Sequence, residues 1–450
     1  MVTMLDLTPR TVASDRLATL PVAIIGAGPV GLATAANLAE RGIDFTVWEA
    51  GDRVAASVQL WRHTRLFSPW KHLVDPTSRR LLEASGWEMP SQMRAPTGQE
   101  LLDNYLLPLA KLPAIGSRIR FVSRVVAVSR EGMDRTRTGG RAQVPFLLRI
   151  EGPHQQITEI TARAVIDASG TYSTPNPLAS SGLTPIGFDQ VADRVLHALP
   201  DVLGRDRARF VGRHTVVVGA GHSAATTLIA LGKLVRDEPR TQVTWVIRNP
   251  SAIRVSSAPD DELPNRAMLG SRIDRLVSSK VVSVVSELHI SHLERDGDGV
   301  RLIGTRRGEA TMLEADQVVS ATGFRPDFDM LREIRLELDD IVEAPKRLAP
   351  LIDPNLHSCG TVKPHGFREL THPEPGFFVV GMKSYGRAPT FLLATGYEQA
   401  RSITAWLDGD IPSASQVNLV LPATGVCSTA DVTGSSCCSL VYLRCVSVLR

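Results

Sequence analysis

The stretch Pro21-Val-Ala-Ile-Ile-Gly26-Ala-Gly28-Pro-Val-Gly31-Leu-Ala-Thr-Ala-Ala-Asn-Leu-Ala-Glu40 decides how the chain is read. A short apolar run is followed at once by a glycine triplet and then by residues rich in Ala and Leu, the order of a strand, a tight turn and a helix. Each glycine has a physical task. Gly26 permits the turn, Gly28 removes the Cβ that would block a phosphate, and Gly31 lets the helix pack close to the strand. A helix start aimed at a pyrophosphate holds it without a metal, through unpaired N–H groups and the helix dipole. Glu49 lies 18 residues beyond Gly31, at the end of the next strand, Asp44 to Trp48, where a carboxylate accepts hydrogen bonds from a ribose diol. Glycine triplets also occur in ordinary strand-to-helix turns; here the following strand and its acid point to a dinucleotide site.

The pattern recurs. Thr215 to Val218 runs into Gly219-Ala-Gly221-His-Ser-Ala224, then a helix from Ala225 to Leu234 and a strand from Thr241 to Ile247. Alanine at the third position, Ala224, is permitted by the same packing argument. The residue after this second strand is Arg248, whose guanidinium suits a 2′-phosphate and so favours NADPH over NADH; the other reading is a solvated arginine at a strand end. Alternating β-branched segments follow in each copy: Arg118 to Val128, Pro145 to Ile150 and Ile157 to Ile166 in the first, Val281 to Ile290, Val300 to Ile303 and Met312 to Val319 in the second. The copies close alike, on Val165-Ile-Asp-Ala-Ser-Gly170 and Val318-Val-Ser-Ala-Thr-Gly323. Thr174 to Gly187, rich in Pro, Ser and Gly, reads as a crossing between domains. Gly376-Phe-Phe-Val-Val-Gly381 and a helix from Phe391 to Leu407, with Glu398 and Arg401 on its polar face, read as a return to the first domain.

The expected fold is therefore α/β, with two Rossmann-like dinucleotide-binding domains, the second inserted into the first, each carrying a small antiparallel β element. The expected boundaries are 1–20 for an N-terminal extension, 21–180 with 312–411 for the first domain, 181–311 for the second, and 412–450 for a tail. At 450 residues, with 43% hydrophobic and 22% charged, the chain is of ordinary globular composition and large enough for two or three domains. Lys and Arg total 50 against 47 Asp and Glu, with no long block of one sign, so a nucleic-acid partner is not expected. No apolar run reaches 18 residues, and Asp6, Arg10, Asp15 and Arg16 occupy the place of a signal peptide's apolar stretch, so the expected setting is the cytoplasm, away from membranes.

Two such sites in one chain, the second set between two parts of the first, resemble the two-dinucleotide-binding flavoprotein superfamily over about residues 20 to 410. The resemblance implies FAD on the first site, where Gly26, Gly28, Gly31 and Glu49 match the motif, and a nicotinamide on the second, at Gly219, Gly221, Ser223, Ala224 and Arg248. Ala321-Thr322-Gly323 matches the superfamily's strand ending and Ala168-Ser169-Gly170 echoes it, which adds Gly170, Thr322 and Gly323 to the implied FAD contacts. The stretch Asp167 to Pro177 is similar to flavin-containing monooxygenases, although their FxGxxxHxxxW/P fingerprint is not in the chain, and Ala55-Ala56-Ser57 replaces the glycines that usually follow the ribose acid. The segment Gly376 to Ala400 resembles the end of an FAD domain, where a helix start stabilises negative charge on reduced flavin; this implies roles for Gly381, Thr395 and Gly396. The block Trp61 to Trp70 would pack near the flavin, through Trp61 and Ser68, and its His63 is an acid–base candidate whose other reading is a surface or structural histidine.

What the resemblance implies is an FAD-dependent, NADPH-using oxidoreductase that transfers oxygen to a small soft nucleophile, of sulfur, nitrogen or arsenic, through a C4a-hydroperoxyflavin, with the chemistry borne by the flavin rather than by a side chain. The expected partners are a small-molecule substrate and O2, with room for a homodimer. A second reading is a reductase passing electrons to a disulfide, quinone or metal. A third is a non-catalytic sensor of soft metal ions built on the tail, where Cys427, Cys437, Cys438 and Cys445 fall, with only Cys359 elsewhere. That tail resembles those of flavin oxidoreductases associated with arsenic resistance; Cys427, Cys437 and Cys438 are candidate ligands for a soft ion, the alternative being an unbound terminus. No CxxC occurs, which argues against a thioredoxin-reductase mechanism.

Overall fold

The computed structural model describes residues 13–250, 264–354, 365–389 and 391–418. The chain enters through a short helix, Ala13–Thr19, and then builds β1 (Val22–Ile25), the helix Pro29–Glu40, β2 (Phe45–Trp48) and β3 (Ile119–Arg120). An antiparallel meander follows, β4 (Arg124–Arg130), β5 (Phe146–Glu151) and β6 (Ile157–Ala162), and then β7 (Ala164–Asp167). The second unit runs β8 (Val195–His197), β9 (His214–Val218), the helix His222–Asp237, β10 (Gln242–Val246), the helix Pro264–Ser278 and β11 (Ser283–Val285). Its own antiparallel meander is β12 (Leu288–Asp296), β13 (Gly299–Arg306) and β14 (Glu309–Ala315), and β15 (Gln317–Ser320) closes it. Last come β16 (Phe377–Val379) and the helix Leu393–Leu407.

Two five-stranded parallel sheets result, ordered β16-β7-β1-β2-β3 and β11-β10-β9-β15-β8. Strands buried on both faces are apolar along most of their length, and β1 and β7 are buried throughout, β7 with Asp167 at its end. Alternation then sends neighbours to opposite layers. Val22 and Ile24 pack with Leu32, Leu38 and Ile403 of the flanking helices, while Ala23 and Ile25 pack with Phe146, Leu148 and Ile150 of the meander. The second unit repeats this: Val217 and Val319 face the helix residues Leu228 and Leu231, and Val216 and Val318 face Leu288, Ile290 and Leu302. Each sheet is thus covered by helices on one side and by a small antiparallel sheet on the other.

Three expectations are corrected. The first domain does not resume at residue 312: β14 pairs with β13, and β15 lies between β9 and β8, with Val318 opposite Val216. The chain rejoins the first sheet at β16, whose Phe377 pairs with Val165. Glu398 is not on a solvated face; it is 6% exposed, and its carboxylate takes bonds from the Arg401 guanidinium at 2.5 Å and the Asn418 N–H at 3.2 Å. Residues from Pro412 do not leave helical structure at once: Ile411–Ser415 forms a short helix, and its Ala414 carbonyl accepts the Ser402 hydroxyl at 2.7 Å.

Candidate functional site

The first glycine turn leaves β1 with Gly26 at φ +97°, a left-handed conformation in which a Cβ would sit 2.9 Å from the Ala168 carbonyl oxygen. Gly31 lies so close beneath the turn that its Cβ would come within 2.0 Å of the Gly26 carbonyl oxygen. Gly28 differs: nothing lies within 4 Å of where its Cβ would be. It is the N-cap of the helix Pro29–Glu40, and no side chain caps that helix. The turn therefore presents backbone donors to open space. Beside it, Glu49 is 8% exposed and held from both ends, accepting from the Ala27 N–H at 2.7 Å and from the Gly51 N–H at 2.8 Å. Each carboxylate oxygen keeps acceptor capacity for a hydroxyl.

The last helix is brought to this turn by close packing. A Cβ on Gly381, which has φ +71°, would lie 3.2 Å from Val30 Cγ2, and one on Gly396 would lie 2.6 Å from the same methyl. Gly381 N–H donates to Gln399 Oε1 at 2.8 Å, and Thr395 is buried in the first turn of that helix. Gly170, at φ +73°, follows β7 in the segment that leaves the first sheet. Between β7 and β16 the structure reveals a pair that sequence reading missed. Lys383 Nζ lies 2.6 Å from Asp167 Oδ2 and 3.1 Å from Ser169 Oγ, with both charges almost fully buried. Either charge left alone there costs about 3–5 kcal/mol. A lysine just past the buried strand Phe377–Val379 is the one sequence signal that could have exposed it.

The second turn repeats the first. Gly219 has φ +130°, and its Cβ would be 2.2 Å from the Ala321 carbonyl oxygen. Gly221 caps the helix His222–Asp237 with no side-chain cap, and nothing lies within 4 Å of its Cβ position. Ala224, at the position of Gly31 in the first turn, is fully buried. Arg248 is exposed just past β10. Thr322 and Gly323, expected at the first nucleotide, follow β15, which brings this segment beside Gly219. Thr322 Oγ1 donates to the Asn176 carbonyl at 2.6 Å and Asn176 N–H to the Gly323 carbonyl at 2.9 Å, tying together the two strands that cross between units.

A chamber lies between the second turn and the last helix. A cavity of about 310 Å³ is lined by Trp61, Ser68 and Leu73, by Leu392 and Leu393 at the start of the last helix, and by His222 and Ser223 at the start of the second turn's helix. The Phe67 ring packs on His222 at 5.3 Å between ring centres, a contact that sequence reading did not single out. A larger cleft of about 680 Å³ shares Thr64 to Phe67, Leu199 and Thr226 with the chamber. His63 lines this outer cleft and is exposed, so it stands outside the inner chamber. Among the described residues no group of three or more His, Cys, Asp or Glu could hold a metal, and none is a cysteine. Cys359, Cys427, Cys437, Cys438 and Cys445 lie outside the described residues.

Residues 21–137 match the FAD dependent oxidoreductase family model, and residues 153–355 match the pyridine nucleotide-disulphide oxidoreductase model. Solved structures with the same fold include the bacillithiol disulfide reductase of Bacillus cereus, 18% identical with a TM-score of 0.64 over 87% of this chain and 99% of that one. The ornithine N-hydroxylase of Kutzneria sp. 744 is 16% identical, with a TM-score of 0.58 over 88% and 100% of the two chains. A flavin monooxygenase from Stenotrophomonas maltophilia, carrying two substitutions, is 20% identical, with a TM-score of 0.56 over 87% and 98%. The chain is a two-dinucleotide-binding-domain flavoprotein. It is an FAD-dependent oxidoreductase, and the flavoprotein's open positions at Gly28 and Gly221, its two uncapped helix starts and its pinned Glu49 fit a dinucleotide at each turn. No helix among the described residues is long and apolar enough to cross a membrane.

Proposed function

We propose that this flavoprotein is an NADPH-using monooxygenase of a small soft nucleophile, of sulfur, nitrogen or arsenic, working in the cytoplasm. The observation that carries the reading is the chamber touched by the start of the last helix, at Leu393, and by the start of the second turn's helix, at His222 and Ser223, with no cysteine among the described residues and no CxxC in the sequence. Bound flavin would supply a ring that accepts hydride from the nicotinamide and passes its electrons to oxygen. The protein's part is to hold and to shield. Gly26, Gly28 and Gly31 would cradle the FAD pyrophosphate and Glu49 would take the ribose hydroxyls. Gly219, Gly221 and Ala224 would do the same for NADPH, with Arg248 on its 2′-phosphate. The start of the helix Leu393–Leu407, with Thr395 and Gly396, would stabilise negative charge on the reduced ring through its N–H groups and dipole. Trp61, Leu66, Phe67 and Phe391 would keep water from the reacting atoms. On this reading the flavin unit comprises about 21–180 and the chain after Ser320, and the NADPH unit lies between.

The test compares NADPH consumed in air with oxygenated product formed from sulfides, amines and arsenite. Near-equal amounts are expected; NADPH turnover that needs no oxygen, with a disulfide or quinone consumed instead, would replace this reading by that of a reductase. The match of residues 153–355 to the pyridine nucleotide-disulphide oxidoreductase model favours that second reading.

A further inference from the structure

The outer cleft differs from the chamber in charge. Its walls are apolar, through Leu66, Leu203, Ile229 and Leu269, but cations stand on its edge. Lys233 projects from the helix His222–Asp237 and Arg272 from the helix Pro264–Ser278; the two helices touch where a Cβ on Gly232 would come within 2.6 Å of Leu276 Cδ2. Both side chains belong to exposed residues, and among the described residues neither is in an ion pair. Arg65 adds a third cation from the first unit, held by the Ala95 carbonyl at 2.5 Å with Glu100 at 3.8 Å. Among the described residues the one acid in the lining is Asp201, whose Oδ2 accepts the Arg205 N–H at 3.1 Å. A cavity of about 680 Å³ has the size of a small-molecule site, and the lining it shares with the chamber sets the two side by side.

We propose that this cleft binds an amphipathic anion, a small molecule with an apolar body and a carboxylate or comparable acidic head. The body lies along Leu66, Ile229 and Leu269 with its leading end toward Phe67 and the chamber, and the head stays at Lys233 and Arg272. Charge-assisted bonds to ammonium and guanidinium favour the anion, while the apolar walls favour a chain over an inorganic ion. The inference names the substrate class of the oxidoreductase proposed above and rests on that reading for its function; the binding itself does not depend on it.

Octanoate is the probe, titrated calorimetrically into the flavin-loaded protein, with octan-1-ol and octyltrimethylammonium as neutral and cationic counterparts of equal chain length. One octanoate per chain is expected, bound at least about tenfold more tightly than either counterpart, and weakened about tenfold or more by Lys233→Gln with Arg272→Gln. Lys111→Gln removes a charge from the exposed Lys111, outside the cleft lining, and leaves octanoate affinity unchanged. The substituted residues are exposed, so flavin content reports that the variants are folded. Equal affinity for octanoate and octan-1-ol, or a double variant that binds octanoate as the parent does, overturns the proposal. The titration uses neither NADPH nor oxygen, so failure of oxygen transfer leaves it standing, and a cleft indifferent to charge leaves the flavin chemistry untouched.

Discussion

The two glycines Gly28 and Gly31 are three residues apart and both belong to one motif, yet the structure gives them opposite failure modes. A methyl on Gly31 would stand 2.0 Å from the Gly26 carbonyl oxygen, well inside ordinary contact, and both atoms belong to backbone that a buried strand and helix hold in place. Gly31→Ala must therefore push the helix Pro29–Glu40 off the sheet, an overpacking cost of about 1–3 kcal/mol. Gly28→Val meets no protein atom within 4 Å at its Cβ, and its backbone, φ −76° and ψ −177°, is one that any residue adopts. As a poorer N-cap, valine costs at most about 1 kcal/mol. Its methyls would instead fill the space in front of the uncapped helix start, where a pyrophosphate would lie, and loss of those backbone bonds should weaken FAD at least about a hundredfold. Urea unfolding of both apoproteins, and flavin absorbance after gel filtration with a fluorescence titration of FAD, separate the two effects. Gly28→Val should be folded and colourless; Gly31→Ala should be the less stable apoprotein. A yellow Gly28→Val protein with parental FAD affinity would refute the assignment of this turn as a cofactor cradle.

Two further outcomes follow from single side chains. Arg248→Ala should raise the KM for NADPH about tenfold or more while changing that for NADH little, because only the former carries the 2′-phosphate; equal changes in steady-state kinetics would remove the guanidinium from the site. Asp75 is buried at the start of the helix Pro76–Glu83, where burial pushes its carboxyl up to about 6 despite bonds from the Ser78 N–H and hydroxyl. An unfolded aspartate titrates near 3.9, so between about pH 4 and 6 the folded chain holds a proton that the unfolded chain has released; stability from this group is present below pH 4 and lost as pH rises through 6, by roughly 3 kcal/mol at most. Asp75→Asn keeps the cap acceptor and should abolish that decline, as urea midpoints at pH 4.5 and 7.5 would record; an unchanged decline would place it elsewhere.

Local chemistry made the turns legible and left the rest hidden. Glycine triplets between a buried strand and a helix announce themselves because the turn, the space for a phosphate and the close packing of helix on strand each favour a residue with little or no side chain. The edge strand Val195–His197 has only three residues and no alternation long enough to read. Glu398 looked solvated because charge ordinarily is, and its burial depends on Arg401 and on a backbone N–H twenty positions on. Lys383 required Asp167, 216 positions away, and no local pattern announces such a partner.

The misplacement of β15 has a more instructive cause. Two segments, Asp167-Ala168-Ser169-Gly170 and Ser320-Ala321-Thr322-Gly323, look alike, and were both read toward the first nucleotide. Their likeness has a steric origin that assigns them separately. In each unit the first turn glycine has positive φ, and the atom its Cβ would strike is the carbonyl oxygen of the alanine just past the closing strand: Ala168 for Gly26, at 2.9 Å, and Ala321 for Gly219, at 2.2 Å. That contact exists because the closing strand is hydrogen-bonded in parallel beside the opening one, β7 beside β1 and β15 beside β9, which delivers the loop past its end against the turn. A small residue with a fixed carbonyl is thus part of each glycine turn's wall. The repeat in sequence reports two equivalent walls, one per turn, so Thr322 and Gly323 go with Gly219, as Ser169 and Gly170 go with Gly26.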